Sequence, residues 1–175
     1  MIIGSKVKLR DKRLADALDD YTWRADPDLA QLDAAPLLTI TFPQYLSEYT
    51  SELHYFSLIR HPFSVQTLGG KHIGNCVYYD ISETKGEAEL GIMIGNRDYW
   101  DKGYGADVVT TLLGYIFRQT NLNRIYLKTL ESNCRAQKCF QKCGFTPYGH
   151  LSRDGYSFVL MELHRKQWQQ QQTET

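Results

Sequence analysis

The sequence predicts one mixed α/β domain (α+β), and three features of its 175 residues carry that prediction. Apolar residues recur at helical spacing up to about residue 53, the period then drops toward two over 54–95, and helix and strand patterns alternate thereafter. With 42% hydrophobic and 13% aromatic residues, and no biased tract before the last few positions, the chain is long enough to bury a sizeable core. Neither an internal repeat nor a linker-like stretch divides it.

In chain order, "KVKLR" (6–10) reads as a short strand, and "DKRLADALDDYTW" as a helix capped by Asp11 with Leu14, Ala17 and Leu18 on one side. A Pro-bearing loop follows at 26–28. "TFPQYLSEYTSEL" (41–53) is a helix: Thr41 starts it, Pro43 sits in the first turn where a missing N–H costs nothing, and Phe42, Tyr45, Leu46, Tyr49 and Leu53 form its stripe. "HYFSLIRH" (54–61) and "HIGNCVYYDI" (72–81) read as strands joined through Gly69-Gly70, and "EAELGIMIG" (87–95) as a third. A helix from about 105 to 120, a β-branched strand "NRIYLKTL" (123–130) and a helix "NCRAQKCFQKCG" stopped by Gly144 come next. "FTPYGHLS" and "GYSFVLMEL" form a hairpin turning at Asp154-Gly155. The Gln-rich end, 166–175, reads as frayed or disordered.

Charge excludes some partners. Twenty Lys and Arg balance twenty Asp and Glu, so no clustered basic face favours nucleic acid or an anionic membrane. No apolar run is long enough to span a bilayer, and the N-terminus is interrupted by charge too soon for a secretory segment. A cytoplasmic protein is expected. Cys76, Cys134, Cys139 and Cys143 form no CxxC pair and have no histidine at ligand spacing, so buried or inert thiols are expected and no metal site.

Within "NRDYWDKGYGADVVTTLLGYIF" (96–117), Gly103 and Gly105 precede a helix. The dinucleotide fingerprint needs a third glycine, and Val108 stands there; a P-loop needs Lys-Ser/Thr after its last glycine, and Ala106-Asp107 follow. Two readings remain open on this stretch alone. One is a helix entrance with glycines chosen for backbone conformation. The other is a phosphate seat, since the first N–H groups of a helix are unsatisfied and carry partial positive charge.

"YWDKGYGADVV" together with "ESNCRAQKCFQKCGF" resembles the GNAT superfamily of acetyl-coenzyme A dependent N-acetyltransferases. The first block is similar to the family's acyl-CoA pyrophosphate loop, and the second to its asparagine-helix block, with Asn133, Arg135, Ala136, Gly144 and Phe145 in register. With "AELGI" ahead of the loop, the similarity covers about residues 56–162 and is greatest to the branch of ribosomal-protein N-terminal and spermidine acetyltransferases.

The resemblance implies a GNAT fold over residues 1–165: a mixed, mostly antiparallel sheet of about seven strands flanked by about four helices, splayed into a V between the fourth and fifth strands. It implies acetyl-CoA as cosubstrate, and an amine acceptor acetylated directly by a monomer or homodimer. A pantetheine arm would add along strand 87–95 near Gly91, which suits a bulge or a close approach, and an N–H at Ile92 or Met93 would meet the thioester carbonyl. Ile94, Asp101, Lys102, Gly103, Tyr104, Gly105, Ala106, Asn133 and Arg135 complete the implied cofactor site. Asn133 caps its helix, bonds the cofactor, or both. Trp100 stands where the loop usually has Gln or Arg, so backbone amides are expected to hold the phosphates.

An ammonium must lose a proton before it can attack, and Glu89 in "AELGI" is the candidate base. The family's tyrosine acid is replaced by Phe140, and a serine used by some relatives by Ala136; water or Cys134 would protonate the thiolate instead. Loss of the acid leaves a second possibility, an acyl-CoA binding module with little turnover. The acceptor is expected between the first two helices and the last hairpin, which carry Tyr21, Trp23, Tyr45, Tyr49, His150 and Tyr156, with Asp19, Asp20, Asp26 and Asp28 available to a cation. Protein N-termini, polyamines, amino sugars and aminoglycosides all remain open as acceptors.

Overall fold

A computed structural model describes residues 1–174. Eight strands form one sheet: β1 (Ile2–Ile3), β2 (Val7–Arg10), β3 (Arg60–Thr67), β4 (His72–Ser82), β5 (Glu87–Ile94), β6 (Arg124–Leu130), β7 (Thr146–Arg153) and β8 (Tyr156–His164). Their order is β1-β2-β3-β4-β5-β6-β8-β7, and every neighbouring pair is antiparallel except β5 and β6. Six helices pack on it: α1 (Ala17–Arg24), α2 (Pro27–Leu32), α3 (Phe42–Leu53), α4 (Tyr104–Gln119), α5 (Cys134–Lys142) and α6 (Arg165–Thr173).

The parallel β5–β6 step requires a crossover, and α4 supplies it. Val108, Val109, Leu112, Leu113, Ile116 and Phe117 recur at i, i+3, i+4 spacing and are fully buried, so one face of α4 closes the core against Leu9, Val65, Leu90 and Ile125 of the sheet. α3 begins as the sequence predicts, with a reciprocal cap between Thr41 and Gln44, and Tyr45 and Tyr49 buried. The β7–β8 turn is made by Asp154 and Gly155, both at positive φ.

Several expectations are corrected. The strand predicted at 54–61 begins only at Arg60, and Tyr55, Phe56, Leu58 and Ile59 lie exposed in the connection before it. The loop predicted at 26–28 opens a helix instead: the Asp26 carboxylate accepts from the Asp28 and Leu29 N–H groups, and Pro27 occupies the first helical position. α1 turns Ala17, Asp20 and Trp23 inward and leaves Leu14 and Leu18 exposed, because its buried face meets charged partners. Asp11 does not cap it; the preceding 3-10 turn (Leu14–Asp16) starts at Arg13, whose N–H donates to the Asp16 carboxylate.

The Gln-rich end is also ordered through Thr173. Trp168 is buried with its ring 5.4 Å from that of Phe117, and the Arg165 guanidinium donates to the carbonyls of Phe117, Thr120 and Leu122, where the C-terminus of α4 leaves acceptors free. Two anchors, Arg165 and Trp168, thus hold a segment whose composition reads as tail.

Candidate active site

β5 and β6 pair only at Glu87–Arg124, Ala88–Ile125 and Glu89–Tyr126. Beyond Glu89, β5 stays with β4 as far as Ile94, while β6 stays with β8 as far as Leu130. The sheet therefore opens into a V, and the side of Leu90–Ile94 that faces β6 has no ladder partner. Trp100 caps the far end of this edge, its indole N–H donating to the Ile94 carbonyl at 2.7 Å. Phe140 of α5, buried and edge-on to Phe145, forms part of the wall. Gly91 sits in regular register opposite Val77; a Cβ there would stand 3.1 Å from Val77 Cγ1, so packing against the neighbouring strand limits that position. The bulge expected at Gly91 lies in β4, between Tyr79 and Ser82, where Asp80 adopts positive φ.

The loop from β5 to α4 ends in Gly103, which caps the helix in the left-handed region at φ 81° and contributes no side chain. The first N–H groups of the helix are consequently left without a side-chain cap. Gly105 lines the V, with its missing Cβ 3.6 Å from Cys139 Sγ, so the backbone is open to close approach. Tyr104 packs edge-on against Tyr99 at 5.0 Å, leaving its backbone to face the seat. Of the acids that flank the loop, the Asp107 carboxylate accepts from the Ser5, Lys6 and Val7 N–H groups at 3.1, 2.7 and 3.1 Å, and Asp101 is exposed at φ 56°. Lys102 reaches back to the Asp98 carbonyl and does not extend forward. Two cations stand beside the loop: Lys6 of the N-terminal segment, whose ammonium donates to the Lys102 carbonyl at 2.8 Å, and Arg135 of α5, whose guanidinium lies 3.7 Å from the centre of the Trp100 ring. Arg135, expected at the cofactor site, therefore stands against Trp100 at the end of the open edge.

A cavity of about 260 Å³ fills the V between Trp100, Gly105, Asn133, Arg135, Phe140 and Tyr156. A second, of about 580 Å³, lies under α1, α2 and α3 and is walled by Trp23, Tyr45 and Tyr49. The two meet at a fork lined by Leu29, Asp33, Tyr79, Gly91–Met93 and Lys128. Ile92 and Met93 line both cavities, and Ile94 lines the V.

At the fork Glu89 is 7% exposed and accepts from Lys128 Nζ at 2.6 Å, while Lys128 stands 3.4 Å from the Tyr79 hydroxyl. Burial first, and Glu89 second, push the Tyr79 phenol above its ordinary pKa. Asp33 makes no side-chain hydrogen bond and no ion pair within 4 Å among the described residues. Asp33 is an exposed residue at the mouth of the cleft, where water screens its charge; the protein packed around its carboxyl raises its pKa to about 6, against the pull of Arg24 and Lys128.

Other predicted residues fall into place or out of it. Asn133 lines the V and caps α5, its oxygen accepting from the Ala136 N–H at 3.2 Å. Cys134, the first residue of α5, is exposed and lines neither cavity, so the candidate acid is placed away from the cleft. Cys139 stands beside Gly105 with its pKa raised by the hydrogen bond it shares with Cys143 and by burial. His150 is exposed and bonded to Glu131, outside both cavities. Asp33, Tyr79, Lys128 and the place of Tyr156 at the V escaped the sequence reading; the one available signal was that Tyr126 and Lys128 share a strand face.

Residues 6–146 match the sequence model of the family described as acetyltransferase (GNAT) domain. An uncharacterized N-acetyltransferase p20 of Bacillus licheniformis is 27% identical over 147 residues, 83% of this chain and 79% of its own. A crystal structure of spermidine N-acetyltransferase from Vibrio cholerae in complex with CoA and spermine superposes with TM-score 0.83 at 20% identity, covering 94% of this chain and 99% of that one. Aminoglycoside acetyltransferase AAC(6')-Ib in complex with coenzyme A superposes with TM-score 0.77 at 23% identity, covering 95% and 99%.

Proposed function

Because the chain belongs to the GNAT acetyltransferase family, we propose that its V holds acetyl-CoA and that it moves the acetyl group directly to a primary amine seated in the larger cavity. The observation that carries this reading is continuity: the unpaired edge of β5 runs from the fork to the uncapped start of α4, and the fork opens into a second cavity. The residues present fit the cosubstrate. A strand edge without a partner suits an amide-bearing arm, and helix N–H groups with Arg135 alongside suit a diphosphate.

Acetyl-CoA supplies the thioester. The N–H of Ile92 or Met93 is assigned to the carbonyl oxygen, where negative charge develops. The amine nitrogen forms the new C–N bond and the C–S bond breaks; the ammonium gives up two protons in all, one to the base before attack and one as the amide forms, and water relays one proton to the departing thiolate and carries the other to solvent. Phe140 and Ala136 offer no proton and Cys134 is remote, so water through the open cleft serves the thiolate; a thiol pKa near 8.5 makes that tolerable.

For the amine's proton two carboxylates compete. The Lys128 ammonium on Glu89 Oε1 favours its charged form and disfavours protonation, whereas Asp33 has no ion-pair partner within 4 Å among the described residues. Asp33 is therefore assigned as the acceptor, directly or through water, and Glu89 as the group that holds Lys128 and Tyr79 at the fork. Four free cysteines and the absence among the described residues of any helix able to cross a membrane support a cytoplasmic setting.

Amine-dependent release of free thiol from acetyl-CoA tests the reaction. Tight CoA binding with no release from any amine would leave only a binding module. In an active pairing, Asp33→Asn should lower kcat/KM by about 10²-fold. A base must be deprotonated to act, so wild-type activity should fall as pH drops through about 6, and the variant should lose that limb. Glu89→Gln should lower kcat but keep the limb; a limb that vanishes with Glu89→Gln and survives Asp33→Asn would reverse the assignment.

A further inference from the structure

Charge pairing in the larger cavity narrows the acceptor. Its lining includes four cations, Lys12, Arg24, Arg60 and Lys128, and three carboxylates, Asp20, Asp33 and Glu52. Two of the cations are already taken up. Lys12 pairs with Asp20, and Lys128 with Glu89 at 2.6 Å. Asp20 is saturated, receiving the Tyr49 hydroxyl at 3.0 Å and the Asn75 amide at 2.6 Å as well as Lys12. Nor do the other acids of this region stand ready for a cation: Asp26 is held by both ends of the Arg97 guanidinium at 2.9 and 3.1 Å, and Asp19 faces His72 at 3.2 Å.

What remains is balanced. Arg24 and Arg60 are exposed and have no carboxylate within 4 Å among the described residues; Asp33 and Glu52 have no cation within that distance. Arg24 ends α1 and leans over the Tyr45 ring at 5.8 Å, while Arg60 starts β3 in register with Tyr79, the tyrosine of the fork. A polycation of three or more ammonium groups would meet two uncommitted carboxylates and two uncommitted guanidiniums, and the like charges brought together there oppose its binding. One ammonium joined to one anionic group meets no such conflict.

We propose that the acceptor is a small amine that also carries an anionic group, carboxylate or phosphate, with its amine at Asp33 beside the fork and its anion on Arg24 and Arg60. Arg suits such a role, since its planar fork binds both oxyanion types in two-point fashion. This inference rests on the acetyltransferase reading above, and it distinguishes the chain's cavity from one shaped for a polyamine.

Thiol release from acetyl-CoA would be followed near neutral pH with matched pairs: glucosamine and glucosamine 6-phosphate, ethanolamine and phosphoethanolamine, β-alanine amide and β-alanine. Spermine and kanamycin serve as polycations. At least one anionic member should exceed its neutral partner by about tenfold in kcat/KM and exceed both polycations. The phosphate and carboxylate pairs separate the two anion types. In Arg24→Gln/Arg60→Gln, whose altered side chains are exposed, that preference ratio should fall to near one. Spermine or kanamycin turning over faster than every anionic amine, or a ratio unchanged in the double variant, would overturn the proposal. Calorimetric CoA binding with no release from any amine would instead overturn the acetyltransferase reading and the proposal with it.

Discussion

Gly105→Asp is expected to leave the fold intact and to abolish coenzyme A binding at micromolar concentrations. The position lies in the first turn of α4, where an acidic side chain favours the helix dipole and replacing glycine reduces the freedom of the unfolded chain. A Cβ there meets Cys139 Sγ at an ordinary 3.6 Å, so the first side-chain atom is accommodated without a clash. The same carboxylate would stand where a diphosphate must approach the helix N–H groups. A loss of about 10²-fold in affinity, about 2.7 kcal/mol, is a conservative expectation for removing the close approach and adding like charge. Calorimetry with CoA reads the affinity, and thermal unfolding without ligand should show Tm unchanged or raised. Equal CoA affinity in the variant and wild type would remove the loop from the cofactor site.

Arg10→Met is expected to cost about 3–5 kcal/mol of folding stability, because it strands a buried carboxylate. Arg10 grips Asp16 with two bonds of 2.8 and 2.7 Å, and both residues are under 8% exposed. Burial pushes the Asp16 pKa up, but Arg10, the Ser64 hydroxyl at 2.7 Å and the Arg13 N–H together hold it well below the ordinary carboxylate range. A carboxyl depressed in the folded state contributes stability that is present above its unfolded pKa of about 3.9 and is lost as pH falls further. The gap between wild type and Arg10→Met in urea unfolding should therefore be full at neutral pH and shrink as acid protonates Asp16, first in the variant, where burial raises the carboxyl without Arg10 to oppose it. A gap that stays constant with pH would deny the pair its role.

Those two residues also illustrate what a sequence discloses. Gly105 was legible because it belongs to a contiguous block, Gly103 to Ala106, whose backbone geometry follows from glycine and helix capping, and because Asn133 stands at a fixed distance from it. The α3 cap and the Asp154–Gly155 turn were legible for the same local reason. Asp20 read as available to a cationic acceptor and Asp16 was not singled out, since their partners Arg10, Ser64 and Asn75 come from three different strands. Glu89 was singled out, but not its bond to Lys128, 39 residues away on a strand that meets β5 over only three residue pairs. Asp33 lay just beyond a helix missed at Asp26-Pro27, where the capping signal was present and the stretch was too short to show a period. The strand at 60–67 was displaced by "HYFSLI", an apolar run that faces solvent, and by Pro62, which reads against a strand interior.

The central claim is that one continuous surface, the open edge of β5 and the start of α4, seats acetyl-CoA. Amide hydrogen exchange with and without acetyl-CoA tests it most directly. Slowed exchange is expected in two places together, at 91–94 along the edge and at 103–106 in the loop, with the β3–β4 pairing unchanged. Protection confined to other parts of the sheet, or saturating acetyl-CoA with no slowing at either place, would contradict it.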